Sequence, residues 1–115
     1  DRVSDSDIAN ALKSESEKIL AKVGKDSFTV AMCIEGKQRS SEALSAEFDK
    51  LSVFGESNLT FIIGGSFGLS DAVKARADAR LSMSQMTFPH QLMRVILTEQ
   101  IYRAFRIMNH EPYHK

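Results

Sequence analysis

The chain has 115 residues, of which 43% are hydrophobic and 26% charged, and its formal net charge is zero. These values are typical of one globular domain, residues 1–115, that is long enough to bury a core. No apolar run approaches the roughly 18 residues of a membrane span, and Cys33, as the one cysteine, excludes an intrachain disulfide framework. We expect a cytoplasmic protein without a membrane partner, since no basic-plus-apolar leader is present.

The first predicted elements are a helix and a buried strand. Ser4 or Ser6 caps the helix, whose apolar residues keep helical spacing until Gly24 ends it. The run 28–34 (FTVAMCI) is apolar without alternation. This pattern favours a strand covered on both faces, as in a parallel sheet. The polar residues 35–37 end the strand.

A second helix and a second strand repeat the pattern. Ser40 or Ser41 begins an amphipathic helix that reaches about Phe54, and a turn follows it. The run 59–63 (LTFII) is the second buried strand and leads directly into the glycine-rich loop 64–68 (GGSFG). Backbone can approach a ligand closely at such a loop, although a plain tight turn explains the same residues.

The third repeat contains the longest helix. Ser70 caps a short helix over 71–78, and residues 81–84 form the third strand. A polar turn then leads to a helix over 89–108 that begins at a proline, with Thr87 as a candidate cap. Strand and helix thus alternate three times. The sequence predicts an α/β fold, a parallel sheet with helices on both sides.

The helix over 89–108 is apolar around more than one stripe. A helix of this kind is covered on more than one side. In a domain of this size we interpret the second cover as another subunit, which predicts a two-fold homodimer. Glu99 and Arg103 stand four residues apart, where they can pair. The apolar residues are Leu92, Met93, Val95, Ile96, Leu97, Ile101, Tyr102, Ala104, Phe105 and Met108.

The second half of the chain is the basic half. Residues 1–57 carry eight Lys or Arg and eleven Asp or Glu, whereas residues 58–115 carry seven and four. This imbalance suits an anionic partner, and chance accounts for it equally well.

Familiar catalytic and metal patterns are absent from the sequence. The three histidines lack the paired spacing of a zinc site, so we expect no metal. A P-loop, a dinucleotide fingerprint and a nucleophile elbow all fail to fit the glycine-rich loop. His90, one residue after the proline, is a candidate catalytic residue; a helix-start residue that fixes the turn by hydrogen bonding is an equal interpretation.

Long motifs in this chain resemble a known family. They are 63–70 (IGGSFGLS), 81–94 (LSMSQMTFPHQLMR) and the ending 99–105 (EQIYRAF) with 112–115 (PYHK), and 34–37 (IEGK) also fits. On these motifs the chain is identified as a member of the bacterial ribosomal large-subunit methyltransferase H family, in the SPOUT class. That family methylates N3 of a pseudouridine in 23S rRNA. The resemblance covers nearly the whole chain.

The resemblance implies a fold, a cofactor and an assembly. The fold is α/β with a C-terminal trefoil knot, which general topology rules would not predict. The methyl donor is S-adenosyl-L-methionine, and members act as homodimers. The donor is expected in the knot loops, held largely by backbone groups. Carried over by motif, its contacts are Met32, Gly64, Met83, Ser84, Gln85, Met86, Thr87 and Phe88.

The resemblance also implies the reaction and the partner, 23S rRNA of the ribosome; we expect no DNA partner. The site must align the donor methyl with a ring nitrogen and accommodate that nitrogen's proton. Tyr113 and His114, acting across the dimer, are candidates for gripping the target nucleotide, with His90 as the alternative. The candidate phosphate contacts are Arg94, Arg103 and Arg106.

One departure from the family pattern concerns the N-terminal side. Family members usually carry a strand–helix–strand portion before the region that matches Asp1, and we expect this portion to be missing here. The alternative function is a non-catalytic RNA-binding or dimerisation module that keeps the knotted fold. Binding of S-adenosylmethionine distinguishes the two.

Overall fold

The predicted alternation of strands and helices is confirmed by the computed structural model, which describes residues 4–56, 58–65 and 68–112. In this part of the chain, strands of one sheet alternate with helices. The elements are α1 (Asp5–Lys22), β1 (Phe28–Gln38), α2 (Ser41–Val53), β2 (Leu59–Ile62), α3 (Asp71–Arg76), β3 (Ala79–Ser82) and α4 (His90–Met108).

The three strands form one parallel sheet in the order β2-β1-β3. Val30 of β1 lies opposite Phe61 of β2 and Ala79 of β3. The central strand is buried on both faces, since the consecutive residues Val30, Ala31 and Met32 are all buried. This burial explains the lack of alternation in the run 28–34, because a strand that is covered on both faces does not need polar side chains at every second position.

Helices cover both faces of the sheet, as predicted. On one face α2 and α4 bury Leu44, Phe48, Leu97 and Ala104 against Val30, Met32 and Leu81. On the other face α1 and α3 pack around Ala31 and Ile62 through the buried side chain of Val73 and the half-buried Ile19. The α/β architecture with flanking helices is confirmed, whereas the trefoil knot stays a prediction.

Several helix and strand ends differ from the sequence-based expectations. Serine caps are observed at Ser4, Ser40 and Ser70, whose hydroxyls accept from backbone N–H groups three residues ahead. Thr87 is not the cap of α4; Pro89 occupies that position without a side-chain hydrogen bond. The ring of Pro89 restricts its φ, here −56°, and so directs the chain into the helix, but it offers no capping acceptor.

β1 is longer than predicted and β3 begins earlier. β1 continues past residue 34 because Lys37 and Gln38 pair with Leu81 and Ser82 of β3. Pairing through backbone groups does not require apolar side chains, so the polar residues 35–37 do not end the strand. β3 begins at Ala79 opposite Val30 and ends at Ser82, where the chain turns away.

α4 presents two apolar faces, and the chain itself covers one of them. Leu97 and Ala104 are buried against the sheet and α2. Four large side chains of α4 remain exposed, Leu92, Val95, Tyr102 and Phe105, of which Phe105 also packs against Phe48 of α2 with ring centroids 5.7 Å apart. Glu99 and Arg103 form the predicted ion pair, with Arg103 Nε 3.1 Å from Glu99 Oε1. None of the helices in the described ranges combines the length and apolarity that a membrane crossing requires.

Ser70 links three parts of the fold through one hydroxyl. Its Oγ accepts from the backbone N–H of Val73 at 3.3 Å and donates to Oγ of the buried Ser16 in α1 at 2.9 Å. We expect Ser70→Ala to lower the free energy of unfolding by about 1–2 kcal/mol, through the lost cap and the unsatisfied Ser16. Urea denaturation measures this loss. Ser52→Ala, an exposed position in α2, is the matched control and should change stability by less than about 0.5 kcal/mol.

Candidate functional site

A cavity of about 660 Å³ lies where the carboxyl ends of the three strands meet. Its lining comes from residues 32–35 of β1, the loop after β2, Lys74 of α3, the end of β3 with the turn after it, and the start of α4. The carboxyl edge of a parallel sheet is the usual position of a ligand site, because the loops that follow the strands converge there. The cavity is therefore the candidate functional site.

An excursion in β1 forms one wall of this cavity. Leu81 of β3 pairs with both Met32 and Lys37, so the residues between them leave the regular ladder. Gly36 closes the excursion, since a Cβ atom at this position would lie 2.8 Å from the backbone N and C atoms of Leu81. Residues 33–35 are thereby directed to the cavity, where all three are lining residues.

The glycine-rich loop forms a second wall, and its glycines are required by close packing. A Cβ atom on Gly64 would lie 2.6 Å from the carbonyl C and O atoms of Gly68. Gly68 N donates to Gly65 O at 3.1 Å and has a φ of 78°, a conformation that favours glycine. Glu15 of α1 lies against the loop from outside, accepting from Gly65 N at 3.4 Å. Gly64, Gly65 and Gly68 thus bring backbone groups to the cavity wall.

The turn over 83–88 forms the third wall and is shaped by two serines. Ser82 Oγ donates to Ser84 O at 2.9 Å, and Ser84 Oγ accepts from Met86 N at 3.0 Å. These local bonds replace the strand ladder as β3 ends. Phe88 is half-buried at the foot of the turn, whereas Met86 is exposed. The wall combines apolar side chains with backbone groups available to a ligand.

An ion pair stands at the polar side of the cavity. Lys74 Nζ of α3 pairs with Glu35 Oε1 from the β1 excursion, and both residues line the cavity. The hydrogen bond from Lys74 holds the pKa of the Glu35 carboxyl below its ordinary value, and the same bond raises the pKa of Lys74. Both groups therefore carry their charges at neutral pH.

Two other titratable side chains line the cavity. Burial, and next the charge of Glu35, raise the pKa of the Cys33 thiol, so Cys33 is not an activated nucleophile at neutral pH. His90, the first residue of α4, is exposed at the rim. Within the ranges that the structure describes, no three His, Cys, Asp or Glu side chains cluster as a metal ion would require.

The structure brings most of the residues expected to contact the donor to this one cavity. Seven of the eight line it: Met32, Gly64, Met83, Ser84, Met86, Thr87 and Phe88. Gln85 is exposed and, although it lies in the described part of the chain, is not a lining residue. His90 also lines the cavity. Tyr113 and His114, the candidates for gripping the target nucleotide, lie outside the described residues.

Sequence reasoning missed the two charged residues of the cavity. The sequence predicts that Glu35 belongs to the polar end of a strand. Lys74 lies on the short helix α3, where a lysine is ordinarily a solvent-exposed side chain. One signal was available for Glu35, because polar residues that follow a buried parallel strand face the carboxyl edge of the sheet. No pattern within α3 itself marks Lys74.

Known proteins resemble this chain over its full length. The family described as "Predicted SPOUT methyltransferase" matches residues 1–114. Ribosomal RNA large subunit methyltransferase H of Bacillus pumilus is 52% identical over 115 residues, which are 100% of this chain and 72% of that protein. The protein of the same name from Exiguobacterium sibiricum is also 52% identical over the same shares. The one from Listeria monocytogenes is 50% identical over 113 residues, 98% of this chain and 71% of that protein.

These similarities are too extensive to reflect the fold alone. Half of the residues are identical over an aligned span that covers the whole chain. The expectation of an enzyme of the methyltransferase class is confirmed. The chain therefore belongs to the SPOUT methyltransferase family and, within it, to the ribosomal RNA large subunit methyltransferase H family.

Proposed function

We propose that this protein uses S-adenosyl-L-methionine to methylate N3 of a pseudouridine in 23S rRNA of the large ribosomal subunit, acting as a homodimer. The observation that carries the proposal is the single cavity that gathers the β1 excursion, the glycine-rich loop and the turn over 83–88. These are the segments whose motifs resemble the donor-binding loops of the family. The relatives' names, which specify ribosomal RNA of the large subunit, support the substrate class.

The residues present fit the proposed donor in size and chemistry. A volume of about 660 Å³ lies within the ordinary range for small-ligand sites. The apolar wall of Met32, Met83 and Phe88 suits a purine ring, and the backbone of the glycine-rich loop supplies donors and acceptors for its polar groups. The missing Cβ of Gly64 lets its backbone pack directly against that of Gly68, and both glycines line the cavity.

When bound, the donor supplies a methyl group on a positively charged sulfur, which is the electrophile. The chain's own contribution is to hold the acceptor nucleotide in line with that methyl and to exclude water. The loops around the cavity are tightly packed, as the Gly36 and Gly64 contacts show. A preformed site of this kind lowers the cost of orienting the two reactants.

The proton on N3 of the target base needs an acceptor. His90 is our candidate among the described residues, because its imidazole stands at the rim of the cavity, where a nucleotide would arrive. Tyr113 and His114 remain the proposed grip on the target nucleotide. Their contribution across the dimer is part of the same proposal.

The substrate is a polyanion, and α4 carries arginines that could meet its phosphates. Arg103 is engaged by Glu99, and Arg106 Nη1 lies 2.7 Å from Glu111 Oε2. Arg94 is exposed and is held at its Nη1 by Gln91 Oε1 at 3.3 Å. We propose Arg94 as the arginine of α4 that contacts rRNA, since it forms no ion pair with a carboxylate among the described residues.

Homodimerisation is proposed through the exposed apolar face of α4. Leu92, Val95, Tyr102 and Phe105 form a patch that a soluble single chain rarely leaves uncovered. A second copy of the same helix would cover it by two-fold symmetry. The cavity begins at the N-terminal end of this helix, so the interface and the donor site share one element.

Titration calorimetry with S-adenosylmethionine tests the donor, and methyl transfer to ribosomes tests the reaction. We expect binding in the micromolar range and transfer of one methyl to the ring nitrogen of a 23S pseudouridine, identified by mass spectrometry of the digested rRNA. Ribosomes that lack the pseudouridine modification are the matched control substrate. Absence of binding at millimolar donor would contradict the cofactor, and donor binding without transfer would favour the non-catalytic module.

A further inference from the structure

We propose that Glu35 and Lys74 together bind the zwitterionic amino-acid end of the methyl donor. The inference rests on the proposed function and assigns that cavity a polar subsite. Among the described residues that line the cavity, Glu35 is the one carboxylate and Lys74 the one ammonium group. The two charges stand side by side, paired with each other through Glu35 Oε1 and Lys74 Nζ.

The pair joins two separate walls of the cavity. Glu35 comes from the β1 excursion and Lys74 from α3, which follows the glycine-rich loop. The Lys74 side chain is 20% exposed and that of Glu35 50%, so both remain accessible from the cavity while the lysine is partly withdrawn from water. A ligand in the cavity can therefore reach both groups at once.

The backbone on both sides of the pair is fixed. Gly36 packs against Leu81 with no space for a Cβ atom, which holds the excursion that carries Glu35. α3 is capped by Ser70, and the same hydroxyl is tied to Ser16 of α1. Because neither wall needs to rearrange, the two charges form a prearranged binding element rather than a flexible surface pair.

The amino-acid end of the donor carries an ammonium and a carboxylate on the same carbon. A carboxylate accepts hydrogen bonds from the ammonium, and a lysine donates to the carboxylate, so the pair matches both charges in one orientation. Glu35 and Lys74 have no net charge together, as the zwitterion has none. The rest of the described lining is mainly apolar, with the polar side chains of Cys33, Ser82, Ser84, Thr87 and His90, so Glu35 and Lys74 supply its carboxylate and its ammonium group.

Calorimetry with two ligands isolates this subsite. S-adenosylhomocysteine contains the amino-acid end, whereas methylthioadenosine has the same adenine, ribose and sulfur without it. We expect Glu35→Gln and Lys74→Gln each to lower the affinity for S-adenosylhomocysteine about tenfold. This loss is at the low end for charge-assisted hydrogen bonds because the pair is partly exposed. Methylthioadenosine should bind both variants within about twofold of the wild type, since the variants remove no contact that it makes.

A charge swap distinguishes a role of the pair in binding the ligand from a role in holding the two walls together. The double variant Glu35→Lys with Lys74→Glu keeps an ion pair between the same walls but reverses its direction, so we expect S-adenosylhomocysteine binding to stay weak. Glu17→Gln and Lys18→Gln, at exposed positions on α1 outside the cavity, are matched controls and should bind both ligands normally. Thermal unfolding of every variant confirms that the fold is intact.

The outcomes distinguish this inference from the proposed function. If the wild type binds neither ligand, the proposed function fails. If the wild type binds both and the single variants weaken both equally, or the swapped pair restores S-adenosylhomocysteine affinity, then the pair only positions the walls and the inference is overturned.

Discussion

Replacing Gly64 by alanine or valine is expected to weaken binding of S-adenosylmethionine by roughly 10- to 100-fold. A Cβ atom at this position would lie 2.6 Å from the carbonyl C and O atoms of Gly68, and neither is the movable end of a side chain. The loop must therefore open. Overpacking of this kind costs about 1–3 kcal/mol, and each 1.4 kcal/mol taken from binding is about a factor of ten in affinity. Titration calorimetry on both variants measures the loss.

Gly24→Ala is the control for this substitution. No atom lies within 4 Å of a Cβ built at Gly24, and its backbone does not have a positive φ. The variant should bind the donor with native affinity. Circular dichroism and thermal unfolding establish whether the Gly64 variants keep the fold; a folded Gly64→Val protein with native affinity would show that this loop does not hold the donor.

The layered α/β architecture could be predicted because its signals are local. The run 28–34 contains no charged residue and only Thr29 as a clearly polar one, and the structure buries Thr29, Val30, Ala31 and Met32 in succession at the centre of the sheet. The serines before each of the first three helices cap them as expected. A strand buried on two faces and a capped helix can each be recognised from a few consecutive residues.

The β1 excursion could not be predicted from these signals. Residues 35–37 are polar and contain a glycine, which is the ordinary pattern of a strand end. What decides the outcome is a second pairing with β3: Lys37 pairs with Leu81, which also pairs with Met32, and Gln38 pairs with Ser82. That pairing depends on a third strand more than 40 residues away in sequence, so no window along β1 contains it.

The charged subsite was missed for the same physical reason. Glu35 and Lys74 are far apart in sequence and belong to different elements, and each has an ordinary surface interpretation alone. The turn over 83–88, by contrast, was singled out first as a polar strand-to-helix connection and then by its resemblance to the family. The role proposed for this turn depends on backbone conformation, which a contiguous motif can encode, whereas an ion pair between distant elements leaves no contiguous motif.

Changing Val95 to glutamate is expected to convert the proposed dimer into a folded monomer, raising the dimer dissociation constant by at least about 100-fold. Val95 is 66% exposed in the single chain and lies within the uncovered apolar face of α4. In the monomer a glutamate there is solvated and favours the helix. In a two-fold interface it would meet apolar side chains and lose its hydration, which costs several kcal/mol without a partner charge.

Analytical ultracentrifugation of the wild type and of Val95→Glu measures this change directly. Val53→Glu is the matched control, because Val53 is 75% exposed at the end of α2 and lies outside the α4 face; it should leave the sedimentation coefficient unchanged. Donor affinity should persist in the Val95→Glu monomer, since one chain supplies the walls of the cavity described above. A wild type that sediments as a monomer, or a Val95→Glu protein that still dimerises, would mean that the α4 face is not the interface. Loss of methyl transfer together with retained donor binding would instead assign to the second subunit a part in gripping the RNA, as proposed for Tyr113 and His114.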